Sequence, residues 1–335
     1  MILTLVGVSY GTLDGTAERA RGVGADILVR PPGSSVIGLS SAPMSDKLPA
    51  ILMQEPHVTF AIGTMVQPLQ GFDSMSGLNV DEFQKHFGGF NFLKGGPPVS
   101  DDDMIMDEFY ARQKGLHVGD TVNLVNHDWK VVGIFEGGKL ARICVKLSVL
   151  QALTGNPGRL SQIFLKVDDP SKAQAVVDAL RVKYKGYQIY TIEEFTSLLS
   201  VSSVSLLKNF IGVVIGVSVV VGFIVVFMAM YTAVLERTRE IGILKAVGGS
   251  SSLILNLLFR ETLLLALIGS VLGILLTYVT QWSMKHSVPA SLVQETVYAW
   301  WPIATGIAVA GALLGAIVPG LKAVKQDVTE ALSYE

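Results

Sequence analysis

The densest group of potential metal ligands in the sequence is a run of three aspartates, Asp101, Asp102 and Asp103. Carboxylate oxygens suit Ca²⁺, but an EF-hand loop alternates its acidic residues with others, and these three are adjacent. A solvated turn is therefore the favoured interpretation. The five histidines lack the H-x-x-x-H or H-E-x-x-H spacing that would place two imidazoles on one helical face. The sequence predicts no metal site.

Hydrolytic and nucleotide chemistry also lack their motifs. No G-x-S-x-G nucleophile elbow occurs, and no G-x-x-x-x-G-K-[ST] phosphate loop. We therefore expect no ATP hydrolysis by this chain itself. The lone cysteine, Cys144, excludes an intrachain disulfide and a cysteine metal cluster, and its strand-like surroundings predict a buried small hydrophobe.

The polar segment 236–252, ERTREIGILKAVGGSSS, indicates a different kind of function. As a helix it places Ile241, Leu244 and Val247 on one face, and the following glycines and serines would end it and cap the next helix. Periodicity alone leaves two interpretations open. The segment is either an amphipathic helix for a partner groove or the membrane interface, or a basic loop that only fixes topology.

Long runs without a charged residue lie on both sides of that segment. Each exceeds the ~18 apolar residues that a helix needs to cross about 30 Å of hydrocarbon. The predicted spans are residues 210–234, 262–283 and 298–320. Half of the 335 residues are hydrophobic and 16% are charged, which fits one water-soluble domain plus a membrane bundle. A net charge of -2 gives no reason to expect nucleic acid as a partner.

The chain opens with MILTLVGVSY, an apolar run too short to span a bilayer. It has no basic segment before it and no clear cleavage site after it, so a secretory signal fits poorly. Two interpretations remain, a short amphipathic entry helix or the outer half of a first membrane helix. The second is favoured, because an outer domain must be delivered across the membrane by a preceding segment. Residues 1–12 are assigned to this truncated first span.

Residues 13–208 predict a mixed α and β domain. Residues 107–114 predict a helix ended by Gly115, and two strands, 121–125 and 129–135, predict a hairpin with its turn at 126–128. The Gly- and Pro-rich residues 73–100 predict a long surface loop. Further strands are predicted at 25–30, 58–66, 104–106, 163–167 and 187–190, with a helix at 170–184.

The end of this domain predicts a stalk. Thr191 and Glu194 have the spacing of a capping box, which marks the start of a helix. No Gly or Pro interrupts residues 192–210, so one unbroken helix is predicted to run from the domain into the first complete span.

Positive charge predicts the orientation. Arg237, Arg239, Lys245 and Arg260 lie between the first two complete spans, and Lys322 and Lys325 follow the last. The loop between the second and third spans offers only Lys285 and His286. The positive-inside bias therefore places the polar segment and the C-terminus in the cytoplasm and residues 13–208 outside.

The spans contain two further signals. Three G-x-x-x-G pairs would permit close helix contact: Gly212 with Gly216, Gly269 with Gly273, and Gly311 with Gly315. Arg260 and Glu261 are adjacent charges at the inner mouth of the second complete span. Interfacial snorkelling is favoured for them over a substrate or proton site.

The arrangement of an outer α/β domain, a span, the segment ERTREIGILKAVGGSS, two more spans and a closing PGLKAVKQDVTEALSYE resembles the FtsX-like permease family of ABC transporters. The segment DDDMIMDEFYARQKGLHVGDTVNLVNHDWKVVGIFEGG resembles the MacB-like extracytoplasmic core domain of that family. The likeness covers nearly the whole chain, and REIGILKAVG at 239–248 is its most specific part. The chain departs from the family in its short first span and in Val328, where many members have Pro.

The resemblance implies an α-helical transmembrane bundle of three complete spans plus a truncated first span, with an α+β extracytoplasmic domain at 13–208 and an FtsX-like domain at 209–335. It also implies that residues 236–249 form a coupling helix that rests on a separate ATPase subunit. The implied coupling residues are Glu236, Arg237, Arg239, Glu240, Ile241, Gly242, Leu244, Lys245, Ala246 and Gly248.

The function implied is that of a non-enzymatic permease subunit that exports a hydrophobic compound, peptide or lipoprotein across a bacterial inner membrane. ATP and magnesium are expected in the partner ATPase, with none in this chain. A second permease copy or a related permease is expected, and an adaptor protein is allowed. One alternative is a signalling subunit that regulates an outer enzyme such as a cell-wall hydrolase. Another is a membrane-anchored binding protein with no ATPase, which would leave the REIGILKAVG match unexplained.

Overall fold

A computed structural model describes residues 1–34, 44–69, 73–199, 205–287 and 294–325. Val328 and the end of the closing motif lie outside the described residues. The chain divides into two compact units. The α/β unit comprises residues 10–205 and 284–293, and the membrane unit comprises residues 1–9, 206–283 and 294–335.

The first helix, α1 (Ile2–Gly22), contributes to both units. It runs well past residue 12, where the sequence predicted that the remnant of a span would stop. Its last turn is held in the α/β unit, because Leu140 N–H donates to Arg19 O at 3.1 Å. Gly22 lies against the backbone of Gly138 so closely that a Cβ atom would clash there.

The α/β unit contains mixed strands and short helices. Its strands are β1 (Ile27–Arg30), β2 (Met44–Ser45), β3 (Val58–Pro68), β4 (Ser74–Leu78), β5 (Phe92–Gly95), β6 (Asp103–Asp107), β7 (Thr121–Leu124), β8 (His127–Phe135), β9 (Ile143–Lys146), β10 (Arg159–Leu160), β11 (Gln162–Val167) and β12 (Gln188–Thr191). Its helices are α2 (Leu48–Leu52), α3 (Val80–His86), α4 (Glu108–Lys114), α5 (Leu147–Leu153), α6 (Ala173–Lys183) and α7 (Ile192–Leu198), and a 3₁₀ turn (Pro170–Lys172) precedes α6.

In the described part of the chain, ten strands form one sheet in the order β12-β1-β11-β3-β4-β9-β6-β8-β5, with β7 also paired to β8. The β4–β9 and β6–β8 pairs are parallel, and the others are antiparallel. The prediction of a loop at 73–100 is wrong, because β4, α3 and β5 lie there. Strand β4 is buried in the sheet, and its Gly77 lets α5 approach: a Cβ on Gly77 would lie 3.1 Å from Leu147 Cα.

The helix and hairpin predicted in the middle of the domain are confirmed. The Asp107 carboxylate caps α4 by accepting from Tyr110 N–H at 2.7 Å, and Gly115 ends the helix in the left-handed region at φ 64°. The β7–β8 hairpin turns at Val125 and Asn126, one residue earlier than predicted, with φ of 57° and 55°. Positive φ at both central residues is the type I′ geometry that matches strand twist.

Hydrophobic clusters hold the sheet together. One contains Ile27, Ile163, Leu165 and Val177, and another contains Met104, Trp129 and Ile143. Cys144 is fully buried, as predicted, and burial strongly raises the pKa of its thiol. The thiol is therefore unreactive near neutral pH.

The helix start that the Thr191–Glu194 spacing predicted is confirmed, although the Glu194 carboxylate accepts from Arg181 Nη2 at 2.9 and 2.7 Å instead of closing a capping box. The predicted unbroken stalk helix is wrong. Thr191 Oγ1 accepts from Glu194 N–H at 3.1 Å and starts α7. The helix ends at Leu198, because Leu199 N–H turns to Thr196 O and leaves the α-helical pattern. Residues 200–204 lie outside the described part, and the next helix begins at Ser205.

The membrane unit contains α8 (Ser205–Glu236), α9 (Thr238–Ala246), α10 (Ser251–Ser287) and α11 (Trp300–Lys325). Among the described residues, three helices are long and apolar enough to cross a membrane, at Lys208–Glu236, Ser251–Met284 and Trp300–Lys325. The first two contain the predicted spans 210–234 and 262–283, and the third begins at Trp300, two residues after the predicted start at 298. Helix α10 starts eleven residues before the predicted span at 262, so Arg260 and Glu261 lie within it.

Candidate functional site

The polar segment between α8 and α10 folds into the short helix α9. Arg237 separates α8 from α9 with a non-helical backbone at φ -98° and ψ 17°. At the other end, Gly249 N–H donates to Leu244 O at 2.8 Å and Gly248 N–H donates to Lys245 O at 3.0 Å. This paired pattern, with Gly248 at φ 99°, is a Schellman motif. The predicted helix with glycine at its end is confirmed over Thr238–Ala246.

One side of α9 packs into the membrane unit. Ile241 and Leu244 contact a buried cluster that joins α8, α10 and α11. Thr238 and Gly242 are buried on the same side. The buried members of that cluster are Met230, Val234, Ile254, Leu258, Ala316 and Ala323. The apolar face that the sequence offered to a partner groove is thus already occupied within the chain.

Val247 does not share that face, contrary to the prediction. Its side chain is 83% exposed. The helix ends at Ala246, and the Schellman turn directs Val247 away from the cluster.

Polar contacts fix α9 to each of the three long helices. Lys245 Nζ donates to Val324 O of α11 at 2.6 Å, where the carbonyls of a helix end carry partial negative charge. Arg237 donates to both carboxylate oxygens of Glu261 of α10 at 3.1 Å. Thr238 Oγ1 donates to Val234 O of α8 at 3.1 Å.

The other side of α9 is exposed. Arg239 and Glu240 lie there, and Ile243 is 49% exposed and Val247 83% exposed. We call Arg239, Glu240, Ile243 and Val247 the outer face of α9. Of the predicted coupling residues, Glu236, Arg237, Arg239, Glu240, Ala246 and Gly248 are exposed, and Ile241, Gly242, Leu244 and Lys245 lie wholly or partly inside.

Sequence reasoning missed Ile243 and misplaced Val247. In a helix, Ile243 lies about 200° from Ile241 and 100° from Leu244, so the two apolar directions could have been separated by angle alone. Which of them faces the bundle depends on α10 and α11.

The three glycine pairs have different surroundings. A Cβ on Gly315 would lie 3.1 Å from Phe223 O, so this glycine allows α11 to approach α8 closely. Its partner Gly311 would meet Val219 at 4.0 Å. For Gly212, Gly216, Gly269 and Gly273, no atom of the described residues would lie within 4 Å of a Cβ.

An apolar cavity of about 480 Å³ lies inside the membrane unit. Residues of α1, α8, α10 and α11 line it, among them Met1, Phe223, Leu265 and Ile307. Gly269, Gly273 and Gly311 also border it. These small residues therefore leave open space between the helices at the cavity, in addition to allowing close helix contact elsewhere.

The three adjacent aspartates at 101–103 each have a protein partner. Asp101 pairs with Lys146 Nζ at 2.6 Å, and Asp102 pairs with His127 Nε2 at 2.9 Å. Asp103 is buried and accepts from the N–H groups of Val99 and Ser100 at 2.9 and 2.7 Å. Asp103 therefore orders the turn, whereas the sequence predicted a solvated residue.

Two known family models match this chain. The model of the MacB-like periplasmic core domain matches residues 1–183, more than half of the chain, and the model of the FtsX-like permease C-terminal region matches residues 212–328. The chain belongs to the FtsX-like permease family. This permease is a membrane protein with an extracytoplasmic region of the MacB-like type.

Curated relatives of the permease differ from it in length. "Macrolide export ATP-binding/permease protein MacB" of Escherichia coli is 25% identical over 369 residues, covering 100% of this chain and 56% of its own length. "Uncharacterized ABC transporter permease YknZ" of Bacillus subtilis is 34% identical over 157 residues, or 44% of this chain and 37% of its own. "Uncharacterized ABC transporter permease MJ1507" of Methanocaldococcus jannaschii is 27% identical in an alignment that covers 66% of this chain and 58% of the relative's own length. The permease thus spans 37% to 58% of these relatives.

Among solved structures, the periplasmic region of MacB from Actinobacillus actinomycetemcomitans aligns with 53% of this chain and 94% of its own. The sequence identity is 14% and the TM-score is 0.40. The extracellular domain of YknZ aligns with 50% of this chain and 99% of its own, at 14% identity and a TM-score of 0.38.

Proposed function

We propose that this chain is the permease subunit of an ABC transporter. In this proposal, a separate ATPase subunit hydrolyses ATP, and the chain converts that cycle into conformational change of its extracytoplasmic domain. The observation that carries the proposal is the two-sided environment of α9. Its inner side is fixed to three membrane helices, and its outer face is free to receive a partner.

The outer face has the composition of a small docking surface. Ile243 and Val247 supply exposed apolar area, and Arg239 and Glu240 supply charges of both signs beside it. An apolar centre with a polar rim is typical of protein interfaces. The ATPase would therefore contact Arg239, Glu240, Ile243 and Val247, and Ile241 and Leu244 would transmit the resulting displacement.

The fixed inner side explains how displacement would reach the membrane helices. Packed side chains do not deform continuously, so a shift of α9 moves the helices that hold it or breaks those contacts. The contacts of Lys245 with α11 and of Arg237 with α10 link two spans directly to α9. These spans would carry the motion toward the outer domain.

The cargo proposed is a hydrophobic compound, peptide or lipoprotein. The apolar cavity of about 480 Å³ is consistent with it, because ligand sites of about 300–1,000 Å³ with apolar walls suit such molecules. We place the permease in a bacterial inner membrane, with a second permease copy and, where the cargo continues outward, an adaptor protein as further partners.

Co-expression with an ABC ATPase, sought among the genes that neighbour this one, tests the proposal. We expect the wild-type permease to co-purify with the ATPase and to change its ATP turnover in lipid nanodiscs. The variant Arg239→Glu combined with Ile243→Asp should lose both, and Lys185→Glu, at an exposed site in the α/β unit, should lose neither. Full association and unchanged turnover with the double variant would contradict the proposal.

The same complex separates export from signalling. Cargo-stimulated ATP turnover, and accumulation of a hydrophobic dye by inside-out vesicles, would support an exporter. Turnover that instead responds to a cell-wall hydrolase added on the outer side would support a signalling subunit.

A further inference from the structure

A groove of about 380 Å³ lies on the membrane unit between α10 and α11. Asn256, Phe259, Arg260 and Leu263 line it from α10, and Leu313, Leu314 and Ile317 line it from α11. The residues are arranged by polarity along the two helices. Both polar side chains belong to one end of the groove, and leucines form the other.

The contact register of the two antiparallel helices defines those ends. Gly320 of α11 lies beside Leu255 and Leu258 of α10, with a Cβ position 3.2 Å from Leu255 Cδ2. Asn256 is therefore level with the α9 end of the bundle, and Leu263 and Leu313 lie about 10 Å deeper at 1.5 Å per residue. The groove thus passes from polar to apolar as it enters the membrane region.

Arg260 contributes a positive charge that its neighbours do not neutralise. Both carboxylate oxygens of the adjacent Glu261 accept from Arg237, the residue before α9. Within the part of the chain that the structure describes, Arg260 forms no ion pair and no hydrogen bond. Its side chain is exposed, next to exposed Leu263 and Leu314.

A charge in such a setting requires a counter-charge. An arginine beside hydrocarbon-facing leucines is costly unless it reaches the interface and pairs there. The planar guanidinium forms two parallel hydrogen bonds with a phosphate, and the Asn256 amide, one turn away on α10, can donate a third. The phosphate of a lipid lies at the depth where a snorkelling arginine ends.

We propose that this groove binds an anionic phospholipid. Arg260 and Asn256 would hold its phosphate, and Leu263, Leu313 and Leu314 would contact the upper part of an acyl chain. The anionic class follows from charge: Arg260 attracts the phosphate, and the neighbouring carboxylate is already engaged, so the ammonium of a zwitterionic headgroup gains no partner. A lipid held here packs against both α10 and α11 beside the contacts that fix α9.

Native mass spectrometry of the purified full chain in detergent tests this site. The probes are phosphatidylglycerol and phosphatidylcholine with the same oleoyl chains. We expect wild-type protein to bind phosphatidylglycerol several-fold more tightly. Arg260→Gln should weaken that binding about tenfold, the effect of losing a charged hydrogen-bond donor. Arg260→Lys keeps the charge but loses the paired hydrogen bonds of the guanidinium, so it should recover only part of the binding. Lys185→Gln, which removes one exposed lysine of the α/β unit, should bind as wild type does.

A second variant keeps the test independent of the charge. Leu314→Trp should fill the apolar end and reduce phosphatidylglycerol binding with Arg260 intact, and it decides the matter if Arg260→Gln does not fold. Equal binding of both lipids, or wild-type binding by Arg260→Gln and Leu314→Trp, would overturn the proposal. Displacement of the lipid by millimolar glycerol phosphate would overturn it too, because the site would then recognise free phosphate.

Discussion

The two sides of α9 are built from similar residue types but have different surroundings. On the inner side, Ile241 and Leu244 are packed in the cluster that joins three membrane helices, and Lys245 is hydrogen-bonded to α11. On the outer face, Ile243 is 49% exposed and Val247 is 83% exposed. An isoleucine, a small number of charges and a second aliphatic residue occur on both sides.

The contrast shows that the hydrophobicity of a residue does not assign its role in a short helix. Inner residues set where α9 lies, so their replacement should change the folding of the membrane unit. Outer residues touch little of their own chain, so their replacement should leave folding intact and change association only. The following predictions test that separation, from the largest expected effect to the smallest.

Leu244→Asp should have the largest effect. It places a carboxylate against the buried cluster, where a charge without a partner is strongly unfavourable. We expect a loss of more than about 3 kcal/mol in the free energy of unfolding, seen as early thermal unfolding in detergent. Ile243→Asp, one residue away on the outer face, is the matched control and should melt within a degree or two of wild type. Equal destabilisation by both variants would show that α9 has no distinct sides.

Gly249→Ala should destabilise the end of α9. The added Cβ would lie 2.6 Å from Leu244 O and 3.1 Å from Leu244 Cγ, so the Schellman turn must shift. We expect a cost of about 1–3 kcal/mol. Gly216→Ala is the control, because no described atom would lie within 4 Å of its Cβ. A normal melting temperature for Gly249→Ala would show that the turn is not tightly packed.

Lys245→Met should cost about 1–2 kcal/mol, because Val324 O loses a charged donor. The aliphatic part of the side chain is kept, so packing changes little. Lys245→Arg should recover part of the loss. If Lys245→Met lowered ATPase binding while stability stayed unchanged, this residue would belong to the outer face.

The Arg237–Glu261 pair should contribute least. Its side chains are 52% and 36% exposed, and exposed ion pairs contribute about 0–1 kcal/mol. A double-mutant cycle of Arg237→Gln and Glu261→Gln should give a coupling energy in that range that falls with added salt. A coupling well above about 1 kcal/mol would indicate a pair shielded from water.

Local sequence signals predicted much of this structure. Charge-free runs located the three long membrane helices, Gly115 marked the end of α4, and Thr191 marked the start of α7. Each of these signals lies within the segment that it describes, so no tertiary contact is needed to interpret it.

The errors occurred where distant segments decide the structure. Strand β4 reads as Ser-Met-Ser-Gly-Leu, a poor strand by composition, yet α5 packs against its Gly77 and neighbouring strands pair with both its edges. The end of α7 at Leu198 carries no Gly or Pro signal. In the candidate site, the residues of α9 and the glycines that end it could be predicted. The face of α9 that points inward could not be predicted, because it depends on Val324, 79 residues beyond Lys245.

Thiol labelling of the outer face tests the central claim most directly. Native Cys144 is buried, so a cysteine introduced at Ile243 is the reactive thiol of the described chain. We predict that the ATPase subunit slows maleimide labelling of Ile243→Cys at least tenfold, and that Val182→Cys, at a position 73% exposed in the α/β unit, reacts equally with and without it. Equal labelling of Ile243→Cys in the free permease and in the complex would contradict the assignment of this face to the ATPase.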